Sequence, residues 1–413
     1  MPQNWKTYKL EDALECLIDY RGKTPKKTTS GIPLVTAKIV KKGVIQEPKE
    51  FIAESDYKGW MIRGFPEIGD VVLTTEAPLG EVAIIKDKHI ALAQRIITLR
   101  GKKGILSSSY LKYFLQSTVG QNRLVARESG TTVTGIKQSE LRKLKVDCPS
   151  YEEQTAIANI LSTIDAKIEN NLAINKTLEE MAMALYKEWF VDFGSFQESD
   201  FAESDLGMIP AGWEVRTLRD FIDLNPRLSI RKGESKTFAE MKILPIDCMS
   251  VSQVVKKEFK GGSKFQNGDT LFARITPCLE NGKTAYVDFL IDKEIGFGST
   301  EFLVMRAKKN ISKYWVYCIS RDPNFRNFSI STMVGTSGRQ RVQNEPFLSY
   351  EIAKPPLEYF TNFDKKVESY FKQIRQGVIE NQTLTKLRDT LLPKLISGEV
   401  RLKEFDLETE LKR

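Results

Sequence analysis

Two stretches of the chain carry apolar positions in alternating steps of four and three residues. The first runs through Ile157, Leu161, Ile164, Ile168, Asn171, Asn175, Leu178, Ala182, Leu185 and Trp189. The second runs through Phe363, Val367, Tyr370, Ile374, Gly377, Asn381, Leu384, Arg388, Leu391 and Leu395, each displaced by 206 from its counterpart. A seam with that alternation predicts a helix that packs along a partner helix. Each helix spans roughly 35–40 residues, about 50–60 Å at 1.5 Å per residue. Both seams turn polar at mid-length, where Asn171 and Asn175 align with Gly377 and Asn381. A buried Asn fixes register at a cost in stability. The natural partner of each seam is the other one, antiparallel about a pseudo-twofold axis, which would place the globular parts at opposite ends. Packing of each helix on its own domain is the alternative. The seams are longer than one small domain can cover, and this favours the pair.

The displacement extends beyond the helices. Trp213-Glu-Val-Arg-Thr-Leu218 echoes Trp5-Lys-Thr-Tyr-Lys-Leu10, Gly268-Asp269-Thr-Leu271 echoes Gly69-Asp70-Val-Val72, Gly335-Thr336 echoes Gly130-Thr131, and Pro355 echoes Pro149. The offset starts at 208, drifts to 199 and settles at 206, the pattern of a duplication with loop insertions and deletions. Short β-branched runs at 70–75, 81–85, 95–99, 269–273, 285–289 and 301–305 predict strands, and 111–115 and 314–319 predict short helices. The expected fold class is therefore α+β: two strand-rich domains and two long antiparallel coiled-coil helices related by a pseudo-twofold repeat. The segments are a first domain (1–150), a central helix (151–190), an acidic connector read as a flexible crossing (191–212), a second domain (213–356), a distal helix (357–400) and a charged tail (401–413).

Charge sharpens this division. The chain carries a net +8, but residues 1–150 hold +9 and 213–356 hold +7, while 151–190 hold −4 and 191–212 hold five acids and no base. Two basic blocks suggest two polyanion-facing surfaces, although ordinary surface variation also produces such blocks. With 41% hydrophobic and 10% aromatic residues, the composition suits folded domains. No apolar run approaches a membrane span, and Met1-Pro2-Gln3-Asn4-Trp5 shows no signal region, so a cytoplasmic location with no membrane partner is expected. Cys16, Cys148, Cys248, Cys278 and Cys318 form no CxxC pair and read as core thiols.

The motifs of catalysis are missing or broken. His89 is the single histidine, which argues against a His-based acid–base mechanism or metal cluster. Gly22–Thr24 and Gly282–Thr284 read Gly-Lys-Thr, but a P-loop needs a glycine five positions earlier, where Leu17 and Pro277 stand. Their lysines can still touch a DNA phosphate. Lys354-Pro-Pro-Leu357 lacks both outer residues of an amino-methyltransferase loop and serves better as a break before the distal helix. Asp223 with Glu234-Ser-Lys236 matches a nuclease pattern only loosely. Neither a catalytic nor a metal site is expected.

Several stretches then resemble the specificity subunits of Type I restriction–modification systems. They include Leu73-Thr-Thr-Glu-Ala-Pro-Leu-Gly-Glu-Val82, Gly130-Thr-Thr-Val-Thr-Gly-Ile136, Glu153-Gln-Thr-Ala-Ile-Ala158, Tyr186-Lys-Glu-Trp-Phe-Val-Asp-Phe193, Ile209-Pro-Ala-Gly-Trp213, Arg274-Ile-Thr-Pro-Cys-Leu-Glu-Asn-Gly-Lys283 and Leu391-Leu-Pro-Lys-Leu-Ile-Ser-Gly-Glu-Val400. They span nearly the whole chain in order. The resemblance implies a non-catalytic subunit with two target recognition domains. Each domain would read one half of a bipartite site in double-stranded DNA, and the helix pair would act as a ruler for the gap. It further implies two methyltransferase subunits docked on the helices and restriction subunits joining that core. S-adenosylmethionine, ATP and Mg2+ would then sit on partners and no cofactor on this chain. A specificity subunit of a system with fused restriction and modification activities is one alternative, and a coiled-coil protein adaptor is another.

In such a protein Lys and Arg neutralise phosphates while base edges supply specificity; Arg pairs with guanine and Asn or Gln with adenine. The candidate DNA-contacting residues are loop positions beside small residues. In the first domain these are Lys38, Arg63, Thr75, Arg127, Thr131, Thr132 and Lys137. In the second they are Arg274, Lys283, Ser337, Arg339, Gln340, Arg341 and Gln343. Gly338-Arg-Gln-Arg341 stands out because glycine lets a backbone approach closely.

Overall fold

The computed structural model of the chain describes every residue except 1, 3, 21, 23, 131–133, 197–199, 252, 337 and 403–413. The chain divides into two units, Met1–Ala166 with Leu384–Arg413 and Lys167–Thr383. Each unit combines one globular domain with a portion of both long helices.

In the first unit the central sheet holds β1 (Leu14–Asp19), β2 (Val71–Thr75), β3 (Leu79–Ile84) and β4 (Ile96–Gly101), ordered β1-β4-β2-β3 and antiparallel throughout. Both faces of β2 are buried, so its sequence is a continuous apolar run rather than an alternation. A smaller sheet sets Ile32–Val35 parallel to Ala91–Leu92 and antiparallel to Phe51–Ile52. Helix α1 (Ser108–Gln116), capped by Ser107, packs Tyr110, Leu111 and Phe114 into the core. Lys6–Lys9 pairs with Lys145–Cys148, so the domain's two ends close on each other just before α2 (Tyr151–Phe190) begins.

The second unit repeats this plan. Strands β5 (Ile222–Leu224), β6 (Thr270–Ala273), β7 (Thr284–Tyr286) and β8 (Phe302–Ala307) are ordered β5-β8-β6-β7, again antiparallel. A companion mixed sheet sets Ser235–Ala239 parallel to Gly296–Gly298. Helix α3 (Lys313–Arg321) carries a serine cap, Ser312, and buries Trp315 and Tyr317. Glu214–Thr217 pairs with Glu351–Lys354 ahead of α4 (Leu357–Ser397).

The turn before the central strand is duplicated atom for atom. Gly69 and Gly268 adopt φ of +94° and +93°, a left-handed conformation that a side chain would strain. The following aspartate, Asp70 or Asp269, is 2% or 1% exposed. Each accepts two hydrogen bonds from an arginine of the neighbouring strand: Arg100 at 2.8 and 2.9 Å, Arg306 at 2.7 Å twice. A buried carboxylate is tolerated because that paired geometry replaces its hydration.

Within each unit the two long helices run antiparallel. In the first, Ile157, Ala158 and Leu161 of α2 share a core with Leu395 and Ile396 of α4, and Arg388 Nη1 lies 3.1 Å from Asp165 Oδ1. In the second, Phe190 of α2 stacks on Phe360 and Phe363 of α4 at ring distances of 5.8 and 5.3 Å. Asn171 Nδ2 donates to Asn381 Oδ1 at 3.0 Å and to Glu380 Oε2 at 2.7 Å. The repeat exchanges that Asn171·Asn381 contact for Asn175·Gly377, and there a Cβ on Gly377 would stand 2.6 Å from Asn175 Oδ1. The two polar positions of each seam thus meet those of the other. Every seam residue is buried or half-buried.

The described residues of 191–212 form a paired hairpin and buried contacts rather than a flexible crossing. Phe201–Ser204 pairs with Gly207–Pro210, and Phe196, Ile209 and Trp213 are 7%, 4% and 8% exposed. The acids of the segment mask this in the sequence, because its few apolar residues do the packing.

Candidate nucleic-acid interface

In each unit one hairpin loop is stitched to the chain that leaves the central strand. In the second unit Met333–Val334 pairs with Arg341–Val342 around a tip at Gly335–Gln340. The returning strand is sewn down by three backbone-anchored bonds, and a fourth ties its partner segment to the neighbouring strand. Val342 N–H donates to Arg274 O at 2.9 Å, Thr276 N–H to Gln340 O at 3.1 Å and Gln340 N–H to Thr276 Oγ1 at 3.2 Å, while Arg274 N–H donates to Glu301 O at 3.0 Å. In the first unit Ile136 N–H donates to Thr75 O at 3.0 Å, Thr75 N–H donates to Arg95 O at 3.0 Å, and Glu76 and Ser129 both bridge to Gly135. The two loops are counterparts, and both begin Gly-Thr, at Gly130 and Gly335.

Side chains at the second hairpin sort into tethered and free. Arg341 makes three hydrogen bonds to Glu301, from Nε at 3.0 and 2.9 Å and from Nη2 at 2.8 Å. That carboxylate holds the Arg341 guanidinium above its ordinary pKa. Arg274 donates from Nη2 to Val342 O, and burial pushes its guanidinium below the ordinary value, with Glu301 pulling the other way. Gln340 is half-buried, while Arg339 and Gln343 are exposed. Lys283 is half-buried and donates to Met241 O at 2.8 Å.

In the first unit Lys38 and Lys137 are exposed on loops. Arg127 pairs with Glu140 at 3.3 Å, and Arg63 Nη1 donates to Asp19 O at 2.7 Å. Thr75 is 2% exposed inside β2, so its hydroxyl is closed to a ligand as large as DNA. Thr75 is the last residue of β2, and that strand end is itself buried. Thr131, Thr132 and Ser337 lie outside the described residues, as does the lysine at position 23 of the first Gly-Lys-Thr.

The structure therefore brings Arg274, Gln340 and Arg341 together, sets Lys283 at the far end of the loop that Arg274 begins, where its carbonyl accepts from Ala273 N–H, and leaves Lys38 and Arg63 on separate loops. Sequence reasoning missed Glu301 and Thr276 in the second unit and Glu76 and Arg95 in the first. The offset of 206 that carries Arg95 to Glu301 was the available signal. Among the described residues, no group of three or more His, Cys, Asp or Glu side chains is placed to hold a metal ion, and no helix is long and apolar enough to cross a membrane. His89 packs edge-on against Tyr57, ring centroids 5.5 Å apart.

Two topologically identical α+β units, each presenting a stitched loop and each built on parts of the same two helices, define a duplicated recognition scaffold. Residues 2–180 match the family model described as the Type I restriction modification DNA specificity domain. The chain is 28% identical to the Type I restriction enzyme MjaIX specificity subunit of Methanocaldococcus jannaschii, across 98% of this chain and 95% of that one. It is 24% identical to the HindI specificity subunit of Haemophilus influenzae, across 72% and 76% of the two chains. In fold it is similar to the crystal structure of a Type I restriction–modification S subunit from M. genitalium, with a TM-score of 0.57, 17% identity and coverage of 95% and 96%. Residues 2–180 thus match a Type I restriction modification DNA specificity domain, and nearly the whole chain is similar to specificity subunits of Type I restriction enzymes.

Proposed function

We propose that each unit reads one half of a bipartite site in double-stranded DNA and that the two long helices set the gap between the halves. The observation that carries this reading is the duplicated hairpin: two equivalent loops, one per unit, each held rigidly at its base and each on a domain of net positive charge. Rigid loops suit base reading, because a contact made by a pre-ordered side chain loses less entropy on binding. In the first unit Lys38, Arg127 and Lys137 border the DNA, and Arg63, already anchored to the backbone, orients its loop. In the second, Arg339, Gln340 and Gln343 face it, with Arg274, Lys283 and Arg341 behind them. Phosphate contacts position the domain while base edges specify the sequence.

The exposed outer faces of the helix pair dock two methyltransferase subunits, and restriction subunits join that assembly. S-adenosylmethionine, ATP and Mg2+ belong to those partners, and the complex works in the cytoplasm. Methylation mapping of cells expressing this chain with its methyltransferase partner tests the reading. Two short motifs separated by an unspecified gap of constant length are expected. A single contiguous motif, or modification without any motif, would overturn it.

A further inference from the structure

We propose that the ion pair at the base of the second hairpin, Arg341 with Glu301, is a positioning device. Within the run Arg339-Gln-Arg341, the DNA contact then falls to Arg339 while Arg341 only holds the loop. This rests on the DNA-reading function argued above and divides its residues by role.

Three features separate the two arginines. Arg341 spends Nε and Nη2 on Glu301, at 2.8–3.0 Å. A phosphate approaching it would have to displace a carboxylate already bound in paired geometry and would meet that carboxylate's repulsion. Arg339 uses only its backbone N–H, donated to Thr336 O at 2.9 Å, and no carboxylate pairs with its side chain among the described residues. It also follows Gly338, whose φ is +79°, and is exposed, whereas Arg341 is half-buried.

The first unit ties the equivalent place differently, with an ion pair between Arg95 and Glu76 that does not include its loop. Arg95 and Glu301 occupy equivalent places, since each accepts a backbone hydrogen bond at 3.0 Å from the residue ending the central strand segment, Thr75 or Arg274. Arg95 Nε lies 3.0 Å from Glu76 Oε1, whereas Glu301 receives Arg341. The residue equivalent to Arg341 in the first unit is Gly135, which carries no charge: Gly135 bridges to Glu76 as Arg341 bridges to Ile275.

The test uses the complex with its methyltransferase subunits and a duplex carrying the motif found by methylation mapping, titrated across a range of KCl concentrations. Arg339→Ala is expected to weaken binding and to lower the slope of log K against log salt by about one, the loss of one phosphate contact. Arg341→Ala and Glu301→Ala are expected to weaken binding several-fold with the slope unchanged, and the double variant to be no worse than either single one. Arg341→Lys retains the charge but not the paired geometry, and should behave like Arg341→Ala; it also carries the test if Glu301→Ala does not fold. Tighter binding by Glu301→Ala would show that Glu301 competes with DNA for Arg341 and would overturn the proposal. A slope lowered by about one in Arg341→Ala, or wild-type binding by Arg341→Lys, would overturn it as well. If the complex binds its motif and none of these variants changes the affinity, the hairpin itself is not the reading element, and the broader assignment of the loop falls with the partition.

Discussion

Asp288 follows β7 with a side chain 14% exposed, and its nearest cation, Arg375 Nη1 on α4, is 3.9 Å from Oδ1, beyond hydrogen-bonding reach. Among the described residues neither carboxylate oxygen accepts a hydrogen bond from another residue. Burial pushes its carboxyl up to about 6, against a weaker pull downward from Arg375. A folded-state value above the unfolded one means that the protonated form is favoured by folding. The associated stability is present at low pH and is lost as pH rises through about 6. Asp288→Asn keeps the shape without the charge. It is expected to raise thermal stability at pH 8 by about 3 kcal/mol and to leave it unchanged below pH ~3, where the wild-type group is neutral in both states. Unfolding followed at both pH values decides; equal effects at both would show that packing, not charge, is responsible. Nothing in the sequence marks Asp288, because its burial depends on a helix that returns late in the chain. The same holds for Arg341. Its neighbours Gly338 and Arg339 drew attention to the loop, but a glutamate 40 positions earlier holds the Arg341 side chain.

Among the elements, the two long helices were the most legible, since a 4-3 seam survives any change in what surrounds it. The β2 and β6 strands were legible for a similar reason: both faces are buried and the run is continuously apolar. Val255–Glu258 was not, because all four residues of that strand are exposed and two are lysines, so no pattern distinguishes it from a loop. The Glu153-Gln154 pair, noticed only as a resemblance, receives a physical role. Gln154 is 0% exposed and caps the start of α2 against its own domain. Its Oε1 accepts from Ser107 N–H at 2.9 Å, and its Nε2 donates to Ile105 O at 2.9 Å and Pro149 O at 3.1 Å. Glu153 meanwhile takes both arms of Arg401 at 2.7 and 2.9 Å. Gln154→Ala strands three buried backbone groups and is expected to cost about 3 kcal/mol. Gln154→Glu, a change of one atom, should cost at least as much at pH 8, because an oxygen would then face two carbonyl oxygens. Thermal unfolding of the three proteins checks both, and a Glu variant as stable as wild type would remove Gln154's amide from the account.

For the molecule as a whole, the duplication is what would turn local structure into the proposed measuring function, and its test lies where the helices are least committed to either domain. Residues 171–175 and 377–381 hold the polar contacts Asn171·Asn381 and Asn175·Gly377, while the apolar cores take hold at Leu161 and Leu395 in one unit and at Phe190 and Phe363 in the other. Four residues inserted between Asn171 and Asn175, together with four between Gly377 and Asn381, lengthen both helices by about 6 Å. Such an insertion is a stutter, which coiled coils absorb by local unwinding rather than by losing their seam. Base pairs are spaced about 3.4 Å along the duplex, so the recognised gap should grow by one to two base pairs. The two half-sites should stay as they were, since no residue of either hairpin moves relative to its own domain. Methylation mapping of the insertion variant reads both quantities at once. An unchanged gap in a folded, active complex would mean that DNA bending or the partner subunits set the distance, and altered half-sites would mean that the helices shape the reading surfaces as well as space them.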